Sequence, residues 1–376
     1  MQHLPEKVPQ QRLKNKPNGE VKMRKIALSA CVSAIALGHL MGSASADTIS
    51  LRVGSGHPIG LLAYTETANK WWVPELKKRI EERTDHTINI QEFHAGQVAK
   101  VTEVLESTET GILDVGFTSL IFYPSKGVFQ NFTLYLPFSS PSAVKTVEAY
   151  HATIEKFPEL LQEFQDKHNQ IVLGGTCAEN YGIGTKFGWS EFSDLQGHKI
   201  AGAGTNLEWI KGATPVASNL NEAYQSIQSG VYEGYLSASS WWHMFKLNEV
   251  APHFTKADFG AQFIHYVTVN MDVWNRLPDD VKEIMREVSE EWALVTAETC
   301  DRNDAEGLAK LAELGVEVKD ISPEAKKAWS EALKDFPQRM ADDLKSKGYP
   351  GAEVMNFYMD KLEELGHEWP TRYVIN

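Results

Sequence analysis

Residues 48–93 read TISLRVGSGHPIGLLAYTETANKWWVPELKKRIEERTDHTINIQEF, and this stretch decides the fold class. Thr48–Val53 alternates apolar and polar side chains, the period of a half-buried strand. It runs into Gly54-Ser55-Gly56-His57-Pro58, a loop composition. Leu61–Arg83 then has helical periodicity, with Glu75, Lys77, Lys78, Glu81 and Glu82 on its charged face. Thr87–Phe93 alternates again. Strand, helix and strand in succession predict a parallel pair and an α/β fold.

The pattern continues outward. Lys100–Thr110 reads as a helix and Ile112–Thr118 as a buried strand. A second cycle opens at Gln170–Leu173. Lys199-Ile200 starts a strand that enters the small-residue loop Ala201–Asn206, followed by a helix at Leu207–Lys211, Thr214–Val216, and a helix through Asn221–Ser229. Residues 261–270 form another apolar strand. Pro278 begins a helical pattern that reaches about Leu314, and proline suits a helix start. Thirty-six residues from 278 to 313 span roughly 54 Å, longer than one small domain, so this helix is expected to brace two lobes.

The chain has 376 residues and a formal net charge of -13, which excludes nucleic acid or an anionic membrane surface as a natural partner. The charge is unevenly placed. Residues 1–46 carry seven Lys and Arg against two acidic residues, and the remainder is strongly acidic. Met23-Arg24-Lys25 supplies a basic start, residues 26–41 are mostly apolar, and Ala44-Ser45-Ala46 precedes Asp47. That is an export signal, too short in its apolar part to span a membrane. The expected mature chain begins at Asp47 and lies in the periplasm, with translation starting at Met23. Cys31 is not expected to carry lipid. Cys177 and Cys300 remain, either as a disulfide or as separate buried thiols.

No catalytic signature stands out, and Gly202-Ala203-Gly204 lacks the third glycine of a dinucleotide loop, since 207 is Leu. His57, His94, His243, His253 and His265 do not sit at metal-ligand spacing, so neither metal nor cofactor is expected. The aromatic residues are more informative. Trp241-Trp242 follows a serine-rich loop, with Tyr181 and Trp209 in comparable settings. Aromatic walls with a few polar groups line small-molecule clefts.

Five segments, taken in order, resemble a known family. They are GILDVGFTSL (Gly111–Leu120) with YLPF (Tyr135–Phe138), DLQGHKI (Asp194–Ile200), GATPV (Gly212–Val216), NEAY with IQSGVYEG (Asn221–Gly234), and VNMDVWNRLPDDVKEIM (Val269–Met285). In spacing they are similar to the C4-dicarboxylate-binding type of solute receptor for tripartite ATP-independent periplasmic (TRAP) transporters. The resemblance implies a two-lobe α/β binding-protein fold with a hinge and a long lobe-spanning helix. It also implies membrane permease subunits as the partner to which a small solute is delivered; the receptor is expected to be a monomer and to perform no chemistry on the solute. Lobe I is then expected at 47–175 plus about 262–298, and lobe II at about 176–261 plus about 299–376, behind a leader at 1–46.

One departure bears on the ligand. The family's carboxylate-binding arginine falls at Ala201, its second arginine near Asn180-Tyr181, and its asparagine at Ser237. Without a guanidinium, a buried carboxylate loses its best partner. Glu179, Asn180, Tyr181, Asn206, Glu208, Trp209, Trp241, Trp242 and His57 are the remaining candidates. Acids and aromatic faces suit a small amine or amino alcohol. The alternatives are a carboxylate held by Lys186 or Lys211, and a periplasmic enzyme using a histidine with Glu222.

Overall fold

A computed structural model describes residues Thr48–Asn376; the leader reading at 1–46 lies outside the described residues. Eleven strands occur among them: β1 Thr48–Ser55, β2 Thr87–Phe93, β3 Val115–Ser119, β4 Gln170–Cys177, β5 Gly182–Thr185, β6 Lys199–Gly202, β7 Thr214–Ala217, β8 Gly234–Ser237, β9 His253–Lys256, β10 Phe263–Asn270 and β11 Glu317–Asp320. They form two sheets. The first runs β2-β1-β3-β10-β4 and the second β11-β9-β5-β8-β6-β7. Each sheet is the centre of one lobe.

The opening βαβ unit forms as its sequence dictates. β1 and β2 are parallel, with Thr48 opposite Thr87, and β3 lies parallel on the other side of β1. Leu51 and Val53 point into the core, while Arg52 points out to an ion pair with Asp114. The helical run 61–83 contains one wider turn at Ala68–Trp72. There Trp72 donates from Nε1 to Ser289 Oγ at 2.9 Å, and its ring meets Phe117 edge-on.

The sheets are mixed rather than wholly parallel. β10 runs antiparallel to both β3 and β4, and β5 runs antiparallel to β8 and β9. The reason is the route of the chain. After β4 it crosses to the second sheet and enters β5 at once; after β9 it returns and enters β10. The two crossings lie side by side in opposite directions, bonded through Ala178 N to Gln262 O (2.9 Å) and Phe259 N to Tyr181 O (3.0 Å). They form the hinge.

Helix Asp279–Glu313 is the third connection. Pro278 caps it, and Asp279 and Asp280 stand in its first turn, where carboxylates oppose the helix dipole. Trp292 donates to Thr67 Oγ1 at 2.9 Å in the first lobe. About four turns further on, Gly307 lies so close to the second lobe that a Cβ there would meet Ser240 N at 2.5 Å. The helix therefore braces both lobes. The C-terminal segment, assigned to the second lobe by sequence, instead lays helix Gly351–Glu364 on helix Ala143–Lys156 of the first. The cause is apolar burial: Tyr358 on that helix is fully buried and stands edge-on to Phe132.

Cys177 and Cys300 are free thiols, both buried. Cys177 Sγ donates to Ala143 O at 3.2 Å, and Cys300 Sγ points at Cys177 O at 3.5 Å. No helix among the described residues is long and apolar enough to cross a membrane.

Candidate solute site

The loops facing each other across the two sheets come from the C-terminal ends of β1, β3, β6 and β8. These ends enclose a cavity of about 30 Å³. His57 (after β1), Ser119 (end of β3) and His265 (in β10) form the wall from the first lobe. Asn206, Tyr235 and Trp241 form the wall from the second, with Tyr181 arriving from the hinge.

Three polar atoms distinguish this place. His57 Nε2, Ser119 Oγ and His265 Nδ1 are buried and make no hydrogen bond. Each of these residues is nearly inaccessible to solvent. A buried polar atom without a partner costs about 1–3 kcal/mol, so three around one cavity point to a ligand's polar groups. The other nitrogen of His57, Nδ1, pairs with Tyr64 Oη at 2.7 Å. Tyr64 stacks on His265, with ring centroids 3.9 Å apart and planes 11° apart. One tyrosine thus holds both imidazoles in place. Burial lowers the His57 pKa to about 4 and that of His265 well below the usual imidazole range, so both rings are neutral at physiological pH.

The opposite wall is aromatic. Trp241 and Tyr181 meet edge-on at 5.5 Å, while Phe122, on the first lobe's side, approaches His57 at 5.7 Å. Asn206 accepts from Ala203 N through Oδ1 at 2.9 Å, so its Nδ2 is what it has left to offer a solute. Gly202 permits this cap, since a Cβ there would meet Asn206 Oδ1 at 2.6 Å.

Of the residues singled out by sequence, His57, Tyr181, Asn206 and Trp241 line the cavity. The others stand elsewhere. Glu179 is wholly buried behind Trp241, accepting from Ser240 Oγ and from Trp241 Nε1 at 3.2 Å. Its desolvation raises its pKa to about 8. Asn180 ties the hinge, donating to Asp258 Oδ1 at 2.8 Å and accepting from Gly260 N. Glu208 is half exposed and pairs with Arg339 on the surface. Trp209 is core, donating to Leu134 O at 2.9 Å. Ala201 is buried in β6 opposite Tyr235, and Ser237 donates to Ala238 O. Trp241-Trp242 belongs to helix Ser239–Met244 rather than a loop. Successive helical residues point about 100° apart, so Trp242 turns inward, covers Gly184 and donates to Ala251 O at 3.0 Å. Neither Lys186 nor Lys211 lines the cavity, and Glu222 is exposed.

Sequence reading missed Ser119 and His265. Their signal was present: a histidine within the mostly apolar AQFIHYVTV is a polar group that needs a partner. A larger cavity, about 700 Å³, lies at the edge of β4 beside Tyr150, Phe263 and Arg286. Its lining contains none of the unpartnered buried polar atoms, so size does not make it the better site. No cluster of His, Cys, Asp or Glu able to hold a metal ion occurs among the described residues.

Comparison with known proteins agrees with the two-lobe fold. The family model "Bacterial extracellular solute-binding protein, family 7" matches residues 65–343. An uncharacterized protein, YiiZ of Salmonella typhimurium, is 28% identical over 212 residues, which span 53% of this chain and 62% of that protein. The ectoine-binding periplasmic protein TeaA of Halomonas elongata is 23% identical over 78% of this chain and 86% of its own length. A TRAP periplasmic solute-binding protein of Bordetella bronchiseptica, crystallised with (R)- and (S)-mandelate, superposes with a TM-score of 0.73 at 24% identity, covering 84% of this chain and 99% of that one. The chain belongs to family 7 of the bacterial extracellular solute-binding proteins.

Proposed function

We propose that this receptor captures one small solute between its lobes, in the cavity between His57, Ser119 and His265 on one side and Trp241 and Tyr181 on the other. It then presents the closed complex to the permease subunits of a TRAP transporter, without altering the solute. The observation that carries this reading is the convergence of three unpartnered buried polar atoms on one aromatic-walled cavity. The polar end of the solute satisfies these atoms, and its apolar part lies against the rings. A cavity of about 30 Å³ has room only for groups of water size. Entry therefore requires the lobes to part at the hinge, and closure completes both walls.

The relatives' ligands, ectoine and mandelate, do not carry over at 23–24% identity. A small amine keeps the favourable ring faces of Trp241 and Tyr181. Its proposed acidic partners are spent elsewhere, Glu179 on Ser240 and Trp241, and Glu208 on Arg339.

A thermal-shift screen across acids, amines and neutral solutes tests the reading. A true ligand at 100 times its dissociation constant stabilises the fold by about 2.7 kcal/mol. That shift should vanish in Trp241→Ala. A ligand whose shift survives both Trp241→Ala and Ser119→Ala binds elsewhere.

A further inference from the structure

The walls of the cavity carry no formal charge. Among the described residues that line it there is no lysine, arginine, aspartate or glutamate. Its ionisable members are His57, His265, Tyr181 and Tyr235. Tyr64 supports both histidines from behind, and Glu179, Cys177 and Cys300 lie in the packing between Trp241, His265 and Tyr64. We propose that the solute is itself uncharged, a compact molecule with adjoining hydrogen-bond donor and acceptor, as an amide or a lactam has. This rests on the cavity being the solute site.

Two lines of geometry support it. A charged head group placed here would leave water for a wall with no counter-ion, and an unpaired buried ion is among the costliest burials in a protein. The position where the resemblance calls for a guanidinium is Ala201, fully buried in β6, so nothing charged replaces it from that strand. The polar groups that are available suit an amide instead. Ser119 Oγ both donates and accepts. A neutral imidazole nitrogen does one or the other according to its tautomer, and at His57 Nε2 takes the role opposite to the one Nδ1 plays toward Tyr64 Oη. Together these groups meet a C=O and an N–H side by side.

The groups that could supply charge are all held neutral. Burial keeps His57 and His265 unprotonated and keeps Glu179 protonated near neutral pH. The same burial raises the tyrosines and both thiols further from ionisation. Affinity for an uncharged solute is then flat with pH between about 6.5 and 7.5, where no group facing the cavity changes charge. A carboxylate would instead draw a proton onto a histidine and bind up to tenfold more weakly for each unit of rising pH.

Three small probes, admitted when the lobes part, decide the matter: acetamide, acetate and ethylammonium. They are titrated into the full mature chain with 13C-labelled histidine, following the His57 and His265 ring resonances at pH 7. These are assigned with His57→Gln and His265→Gln. Acetamide should move both resonances with a dissociation constant at least tenfold below those of the other two, unchanged between pH 6.5 and 7.5. Ser119→Ala should weaken it severalfold while leaving the free-state spectrum in place. If acetate or ethylammonium moves the resonances at equal or lower concentration, the cavity is the site but the solute is charged. If none of the three moves them, the cavity is not the site, and this inference falls with the functional reading.

Discussion

Gly204, on the loop after β6, lies directly against the carbonyl of Ile121 in the other lobe. A Cβ built at position 204 would fall 1.9 Å from that oxygen, and Gly204 has φ +52°. Only glycine accepts that conformation freely and that approach at all. Trp209 seals the same seam five residues on, donating from Nε1 to Leu134 O. The loops 203–209 and 120–135 are therefore where the lobes meet when the cleft is shut.

Gly204→Ala should separate folding from closure. Each lobe keeps its core, and the open form has no Ile121 carbonyl to strike. Solute affinity should drop at least tenfold, about 1.4 kcal/mol, by calorimetry. Small-angle scattering with saturating solute should show a radius of gyration that stays at the solute-free value of an open wild-type receptor. Wild-type affinity in this variant would mean that the seam opens or repacks on binding.

The paired tryptophans should respond differently. Trp242 fills the space over Gly184 and its indole is bonded to Ala251 O, so Trp242→Ala should cost ~3–5 kcal/mol in urea unfolding. Trp241 faces the cavity. Trp241→Phe keeps an apolar wall but loses the bond to Glu179; it should weaken solute binding severalfold with a smaller loss of stability. Equal losses of stability in both variants would place Trp241 in the core instead.

Most of the scaffold was legible in the sequence. β1 and β2 showed in strict alternation, and the long helix in its proline-aspartate start and sustained periodicity. Strand direction was not legible, because alternation reports burial and says nothing about pairing; β10 and β5 are antiparallel for reasons of chain routing. The site was half legible. His57, Tyr181, Asn206 and Trp241 were found by their loops and residue types. Glu179 was read as a free carboxylate because its partner Ser240 lies 61 residues away, a contact that no local pattern encodes. His265 was passed over because a single histidine in an apolar strand reads as core until its nitrogen is seen to lack a partner.

Glu179 should also make stability fall with alkali. Its folded pKa of about 8 lies above the ordinary 4.5. Between those values the folded chain holds a proton that the unfolded chain has released, so stability declines as pH rises and levels off above about 8. His57 and His265 act in the opposite direction but only below about 6.5. From pH 7 to 8, Glu179→Gln should therefore gain on the wild type by about 1 kcal/mol per unit. Parallel curves over that range, from urea melts, would show that Glu179 is ionised in its pocket.

Cys177 and Cys300 should be silent in the native protein. Burial pushes both thiols up, away from the reactive thiolate. Ellman's reagent at pH 8 should label neither within the time in which it labels both after unfolding in guanidinium. Failure to label after unfolding without reductant would reveal a disulfide.

The most direct test of the site is a crystal structure of the mature receptor with its solute bound. The polar end of the solute should lie within hydrogen-bonding distance of His57 Nε2 and Ser119 Oγ, with Trp241 against its apolar part and Gly204 closed on Ile121. A solute seated instead in the larger cavity beside Tyr150 and Arg286, with His57 and His265 still unpartnered, would contradict the assignment.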